Sequence, residues 1–302
     1  MWEPDPAWEP LRTGGGHPAT VGVWAARDGG RRWIVKRLAP PDETALHDPG
    51  QAGYWRREAE VALHADSFAG PGLVLPEVRR VDEDADGVTV WTAEVPGEPP
   101  PALFVARALG RFASSRAPDL PWVSRSILAG RLALAELRDG WPTLRRTTLA
   151  DVTEELWLRR TRWLSRVAAG PQGQVHGDVT PGNMLGRRDD DVVAVDWQAY
   201  GTGPVGADLG YFALSCREDF AVLLTAFVDG LRGIRRDVTP EVVADAARVT
   251  AVYTAVSRAE WALARAAGGE DPLAATHRHP SVAPHLRALQ RQLPQLEALL
   301  RR

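Results

Sequence analysis

The spacing of apolar residues splits the chain into a strand-forming part followed by a helix-forming part. Residues 21–26 (VGVWAA) and 33–38 (WIVKRL) are short runs rich in β-branched and aromatic side chains, and the turn sequence RDGGRR between them predicts a hairpin. A glycine cluster, TGGGH, precedes the first run. From Tyr54 to about Ala65 the apolar residues of YWRREAEVALHA fall at helical spacing. PEVRRV and GVTVWTAEV flank the turn DEDADG and predict two further strands, so the order is strand, strand, helix, strand, strand. PGEPPP (96–101) ends the series, because proline has no N–H to donate to a strand ladder.

Beyond it, FVARALGRFASS, SILAGRLALAELRD and DVTEELWLRRTRWLSRVAAG are Ala/Leu/Arg-rich and helical in period. One interruption, QVHGDVTPGNMLGRRDDDVVAVDW (174–197), holds two short apolar runs around a charged turn and predicts a loop followed by a hairpin. Helical spacing then returns in LGYFALSCREDFAVLLTAFVDGLRG, in TPEVVADAARVTAVYTAVSRAEWALARAAG and in the C-terminal HLRALQRQLPQLEALLRR. The pattern predicts an α+β fold of two lobes. Residues 1–95 form a small β-rich lobe with one main helix, and residues 96–302 form a larger, mostly helical lobe.

Composition narrows the function classes. A chain of 302 residues with 44% hydrophobic and 25% charged residues can bury a sizeable core. The net charge of -3 lacks the basic footprint of a nucleic-acid binder. Cys216 is the single cysteine and no Cys/His cluster has zinc spacing, which predicts a reducing, cytoplasmic setting. No basic segment with an apolar core opens the sequence and no apolar run reaches membrane-spanning length, so no membrane partner is expected. Within the basic residues one imbalance stands out: a single lysine, Lys36, against 35 arginines, and a single asparagine, Asn183. Arginine replaces lysine where any positive charge serves, so the surviving lysine points to a place that needs a compact ammonium. Asn183 likewise points to a need for a neutral carbonyl oxygen.

Asn183 lies in the segment that carries the chemistry. His176-Gly177-Asp178-Val179-Thr180-Pro181-Gly182-Asn183 contains Asp-x-x-x-x-Asn, the spacing a kinase catalytic loop uses between its base and its metal-binding amide. Asp196 follows at the end of VVAVD, on a predicted strand. An acceptor hydroxyl needs a carboxylate within hydrogen-bond reach, and Mg2+ on nucleotide phosphates needs hard oxygen ligands. Asp178 would be the catalytic base, Asn183 would offer its amide oxygen to the metal, and Asp196 would bridge the metal to the phosphates.

HGDVTPGNML followed by VVAVDW resembles the aminoglycoside phosphotransferase family of small-molecule kinases, relatives of choline kinase with a protein-kinase-like fold. The resemblance runs nearly the whole chain. It implies an ATP- or GTP-dependent O-phosphotransferase that uses Mg2+ and a small-molecule hydroxyl acceptor such as an antibiotic, a sugar or an amino alcohol. In matching order, Lys36 would hold the α/β-phosphates and Glu58 would pair with it, with Glu60 as the alternative register. Backbone groups near Glu94 and Val95 would meet adenine, Gly15 and Gly16 would belong to the phosphate loop, and Asp208 in GADLGYF would support the site. TGGGHPATVG departs from the protein kinase Gly-x-Gly-x-x-Gly spacing.

Other residues have plainer readings. His176 is expected to hold the turn before Asp178, Asp189 to Asp191 to form a solvated hairpin tip, and Cys216 to be a small core residue. Trp157 and Trp163 are expected to pack between helices, and His277, His279 and His285 to flank a proline turn. Only eleven residues separate Asp196 from Asp208, too few for the peptide-docking activation segment of a protein kinase. A nucleotide-binding pseudokinase would lack the base, the lysine or a metal ligand, and all are present. Ten acidic residues against twelve arginines after Asp208 disfavour a polycationic acceptor.

Overall fold

The computed structural model describes residues 2–11, 17–65, 71–137, 150–232, 235, 237–267, 287 and 290. Its elements in chain order begin with β1 (Glu9–Pro10), β2 (Thr20–Asp28), β3 (Arg31–Leu38), α1 (Arg57–Leu63), β4 (Leu73–Val74), β5 (Val78–Asp84) and β6 (Gly87–Ala93). Helices α2 (Ala102–Ala113), α3 (Ile127–Leu137), α4 (Ala150–Leu158) and α5 (Arg160–Ala168) follow. The remainder is β7 (Gln172–Val175), β8 (Met184–Arg188), β9 (Asp191–Ala194), β10 (Gly201–Pro204), α6 (Ala207–Ala213), α7 (Phe220–Leu231) and α8 (Pro240–Ala267).

Strands of the first part form an antiparallel sheet in the order β1-β2-β3-β6-β5. Alternation along β3 gives the sheet two different faces. Trp33 and Val35 point to one side and join Ala26, Trp91 and Ala93 in a cluster covered by Trp8. Leu38 points to the other side and packs with Val88, Val90 and the α1 residues Ala59 and Ala62. Lys36 shares that second face by its even offset from Leu38, so the pleat alone aims the lysine at the helix. Arg37, on the Trp33 face, is almost fully buried and is held by Asp84 at 2.6 and 2.9 Å and by Thr89 at 3.0 Å.

The second part is mainly helical around a core that includes Leu109, Phe112, Trp197, Tyr200, Leu209 and Phe227. Two small sheets interrupt it, β4-β9-β8 and β10-β7. β4 pairs parallel with β9, so a strand from the first part is joined to the hairpin that leads to Asp196. Asp191 is more than a solvated tip residue: its Oδ1 accepts the Gly72 N–H at 2.7 Å and pairs with Arg111 at 3.2 Å. Trp163 is fully buried and Trp157 nearly so, as packing residues should be, and Cys216 is packed partly buried against the core.

Differences from the sequence expectation have local causes. β7 and β10 (QGQV and GTGP) carry no apolar alternation, and they are strands because they pair with each other. The segment from Leu209 to Leu231 is two helices rather than one, since the Asp219 side chain accepts the Ala221 N–H at 2.7 Å and starts α7 afresh. Asp196 lies two residues beyond the end of β9, in a turn. Gly15, Gly16, His277, His279, His285 and most of the expected C-terminal helix lie outside the described residues. No described helix is long and apolar enough to cross a membrane.

One side chain ties these parts together. Arg57, at the start of α1, is fully buried and donates to five backbone carbonyls. Its Nε reaches Trp122 O at 2.7 Å, its Nη1 reaches Ala52 O at 2.8 Å and Gln198 O at 2.9 Å, and its Nη2 reaches Pro49 O at 2.9 Å and also Gln51 O. Burial lowers its pKa to about 10, which still leaves it charged at neutral pH. Every guanidinium donor is used, the condition under which a buried cation is tolerated. Arg57→Ala strands those carbonyls and is expected to lower unfolding free energy by roughly 4 kcal/mol, with Arg57→Lys intermediate because an ammonium has fewer donors. Urea unfolding midpoints measure this, and a loss under about 1 kcal/mol for Arg57→Ala would show that the carbonyls find other partners.

Candidate active site

Lys36 on β3 meets two carboxylates brought from distant parts of the chain. Its Nζ lies 2.5 Å from Glu58 Oε2 in the first turn of α1 and 2.8 Å from Asp196 Oδ1. Glu60 points elsewhere and pairs with Arg56 at 2.8 Å, so the register of α1 places Glu58 opposite the lysine. Burial opposes charge on Lys36, yet Glu58 and Asp196 outweigh it and hold the ammonium above its ordinary pKa. One cation cannot neutralise two carboxylates equally. Burial pushes Glu58 up despite Lys36, while on the more exposed Asp196 the same burial is overcome by Lys36 and the group is held low. Gln198 Nε2 adds a bond to Asp196 Oδ1 at 2.6 Å.

Asp196 itself adopts a left-handed conformation, φ 66° and ψ 59°. Such a backbone costs of order 1–3 kcal/mol for a residue with a side chain and persists only where its surroundings fix it. Here the ion pair with Lys36 and the bond from Gln198 do so.

The Asp178 loop is built on a buried carboxylate. Asp208, in the first turn of α6, accepts the His176 N–H at 2.7 Å and the Gly177 N–H at 2.9 Å. Gly177 has φ 79°, and a Cβ there would stand 2.4 Å from Ala199 O, so only glycine fits the bend. The His176 ring closes the loop, since its Nδ1 accepts the Asp178 N–H at 3.2 Å and its Nε2 bonds Val195 O at 3.1 Å. Burial lowers the His176 pKa, in keeping with a neutral ring in that role. His176 therefore holds the turn.

Asp178 emerges with both carboxylate oxygens engaged. Asn183 Nδ2 donates to Asp178 Oδ2 at 3.0 Å and to the Asp178 carbonyl at 2.8 Å, and the Tyr211 hydroxyl donates to Asp178 Oδ1. Arg258 on α8 comes within 3.9 Å of the same Oδ1. The Val195 N–H donates to Asn183 O at 3.0 Å, which keeps Asn183 beside Asp196. With its amide nitrogen spent on Asp178, Asn183 has its carbonyl oxygen to offer, and Asp196 has Oδ2. That pair of hard oxygens suits Mg2+, which takes one or two protein oxygens and completes its shell with phosphates and water. Among the described residues no group of three or more His, Cys, Asp or Glu could hold a metal unaided.

Residues 14–241 match the phosphotransferase enzyme family. The chain belongs to that family. It is a small-molecule phosphotransferase acting on hydroxyl groups. No curated protein matches it by sequence. Among solved structures, choline kinase LicA from Streptococcus pneumoniae superposes with a TM-score of 0.63 at 12% identity, over 96% of this chain and 93% of that one. Amicoumacin kinase hAmiN, solved with AMP-PNP, Ca2+ and Ami, gives 0.60 at 13% identity, over 95% and 88%. Aminoglycoside phosphotransferase APH(3'')-Id from Streptomyces rimosus, solved with ADP and streptomycin, gives 0.54 at 20% identity, over 82% and 92%. These likenesses establish that this phosphotransferase has the kinase-like fold.

Glu94 and Val95 follow β6 directly, where Glu94 lies 3.4 Å from Arg32 and Val95 faces Gly186 on β8. His17, just past the glycine cluster, was not singled out in sequence. Burial and then Lys36 lower its pKa to about 4, so it stands neutral near the lysine. Tyr211, Arg131 and Arg258 also went unread, because each reaches Asp178 or its loop from a helix remote in sequence.

Asp208 supplies a pH test. Burial pushes its pKa up to about 6 from 3.8. A carboxyl raised on folding favours the folded state while protonated, and that contribution fades as pH rises from about 4 to about 6. Asp208→Asn lacks this titration, so the Tm of the wild type relative to Asp208→Asn is expected to fall across that window. Parallel Tm curves for the two proteins between pH 4 and 6 would exclude it.

Proposed function

We propose that this phosphotransferase moves the γ-phosphoryl group of MgATP to a hydroxyl of a small molecule, with Asp178 as the base. The observation that carries the reading is the joining of Lys36, Glu58 and Asp196 within 2.5 to 2.8 Å, beside a loop that fixes Asp178 and Asn183. Nucleotide complexes of hAmiN and the Streptomyces rimosus enzyme support a nucleoside triphosphate as cosubstrate. Lys36, steadied by Glu58, would bind the α/β-phosphates. Asn183 and Asp196 would hold Mg2+, which when bound neutralises charge on the transferring phosphates. Asn183 and Tyr211 orient the Asp178 carboxylate from its two oxygens, leaving lone pairs to receive the acceptor proton. Backbone groups at Glu94 and Val95 would meet the base of the nucleotide.

The segment from Asp196 to Asp208 favours a small acceptor over a peptide. It is folded into a turn at Trp197–Ala199, the strand β10 and the start of α6, with no open stretch on which a peptide could lie.

Asp178→Asn is expected to bind MgATP nearly as the wild type does while phosphoryl transfer falls by roughly 10²–10⁴. Calorimetry with MgATP and single-turnover transfer separate the two effects, and retention of a tenth of the wild-type rate would remove Asp178 from the role. Lys36→Arg is expected to cut transfer about 10²-fold or more despite keeping the charge, because a planar guanidinium cannot sit between Glu58 and the phosphates without shifting them. Near-normal kcat/KM for Lys36→Arg, with an unchanged melt, would place the phosphate contact elsewhere.

A further inference from the structure

Two guanidiniums stand beside Asp178, while the other carboxylate of its loop, Asp208, is buried and spends its oxygens on the His176 and Gly177 N–H groups. Tyr211, whose hydroxyl donates to Asp178, has the Arg258 guanidinium 4.1 Å and the Arg131 guanidinium 5.2 Å from its ring centre. Arg131 commits one nitrogen to Gly177 O at 2.7 Å. Arg258 stands 3.9 Å from Asp178 Oδ1, too far for a charge-assisted hydrogen bond, so its donors stay available beside the base. Its side chain keeps 27% of its exposure, which leaves a path for a ligand.

Helical spacing puts Thr250, Thr254 and Arg258 in one stripe of α8. Both threonine hydroxyls are buried without a hydrogen-bond partner among the described residues, and both line a cavity of about 70 Å³ whose wall includes Arg131, Gly177, Asp208 and Tyr211, next to Arg258 one turn further along the helix. Buried hydroxyls left unbonded beside a cavity mark a place that a polar group can occupy.

We infer that the acceptor carries an anionic group close to its reactive hydroxyl, a carboxylate or a phosphate, and that Arg258, with Arg131, binds that group. This rests on the phosphotransferase reading of Asp178. An arginine with free donors beside Asp178 attracts an anion and disfavours an ammonium, Asp208 being buried and committed to two backbone N–H groups, and a bidentate arginine matches carboxylate and phosphate oxygens. A polycation would have to bring its charges against Arg131 and Arg258.

The test uses the full chain with MgATP and a graded set of acceptors: glycerate and glycerol 3-phosphate as anions, glycerol as the neutral parent, choline and kanamycin as cations. The expected result is a kcat/KM at least tenfold higher for one of the two anions than for glycerol, choline or kanamycin, and which anion leads identifies carboxylate or phosphate. Arg258→Glu should remove that preference, and Arg258→Gln should weaken it, with MgATP affinity and melting temperature held. Preference for choline or kanamycin, turnover of neither anion while MgATP still binds, or an equal loss across all acceptors in Arg258→Gln would each overturn the inference. Those results leave the kinase reading intact; failure of the chain to bind MgATP would instead overturn that reading and the inference with it.

Discussion

A buried guanidinium that satisfies five carbonyls holds the arrangement together. Arg57 links its own helix to the loop at Pro49–Ala52, to Trp122 in the helical part, and to Gln198 just past Asp196. Glu58 is the next residue, so whatever fixes Arg57 also fixes the carboxylate that meets Lys36. Among the described residues the cation has no acidic partner within hydrogen-bond range; it is stabilised by carbonyl dipoles, whose positions depend on the tertiary fold being correct. The active-site geometry is thereby coupled to the packing of both parts of the molecule.

Around that anchor the charges form two groups with different tasks. Lys36, Glu58 and Asp196 make a closed cluster with one excess negative charge, suited to a metal-bound polyphosphate. Asp178 and the buried Asp208 behind its loop face Arg131 and Arg258 in a second group whose charges balance. Asn183 stands between them, bonded through its side chain to Asp178 and through its carbonyl to Val195, the neighbour of Asp196.

The strands and helices were legible in sequence where apolar period and turn residues agreed, as in β2, β3, β5, β6 and α2. The loop residues Asp178 and Asn183, with Asp196, were legible from spacing, and Lys36 from composition as well. Arg57 was not, because in WRREAE a buried arginine and a solvated one look alike; only the converging carbonyls distinguish them. Tyr211, Arg131 and Arg258 were hidden for the same reason, since their significance is their distance to Asp178 across a gap of tens of residues. β7 and β10 carry no pattern of their own and depend on each other. The left-handed turn at Asp196 has no sequence signal beyond the tolerance of aspartate for that conformation.

The parallel pairing of β4 with β9 restricts how the molecule can breathe. Leu73 and Val74 sit opposite Val192 and Val193, and the Val192 N–H donates to Gly72 O at 2.8 Å. This ladder crosses from the strand-rich part to the hairpin just before Asp196, and Arg57 bridges the same two parts nearby. A swing of one part against the other must therefore pivot close to Gly72 and Val192, with its largest travel at the far edge of the sheet, where β1 lies. Asp196, two residues past the end of β9, then barely moves in such a swing.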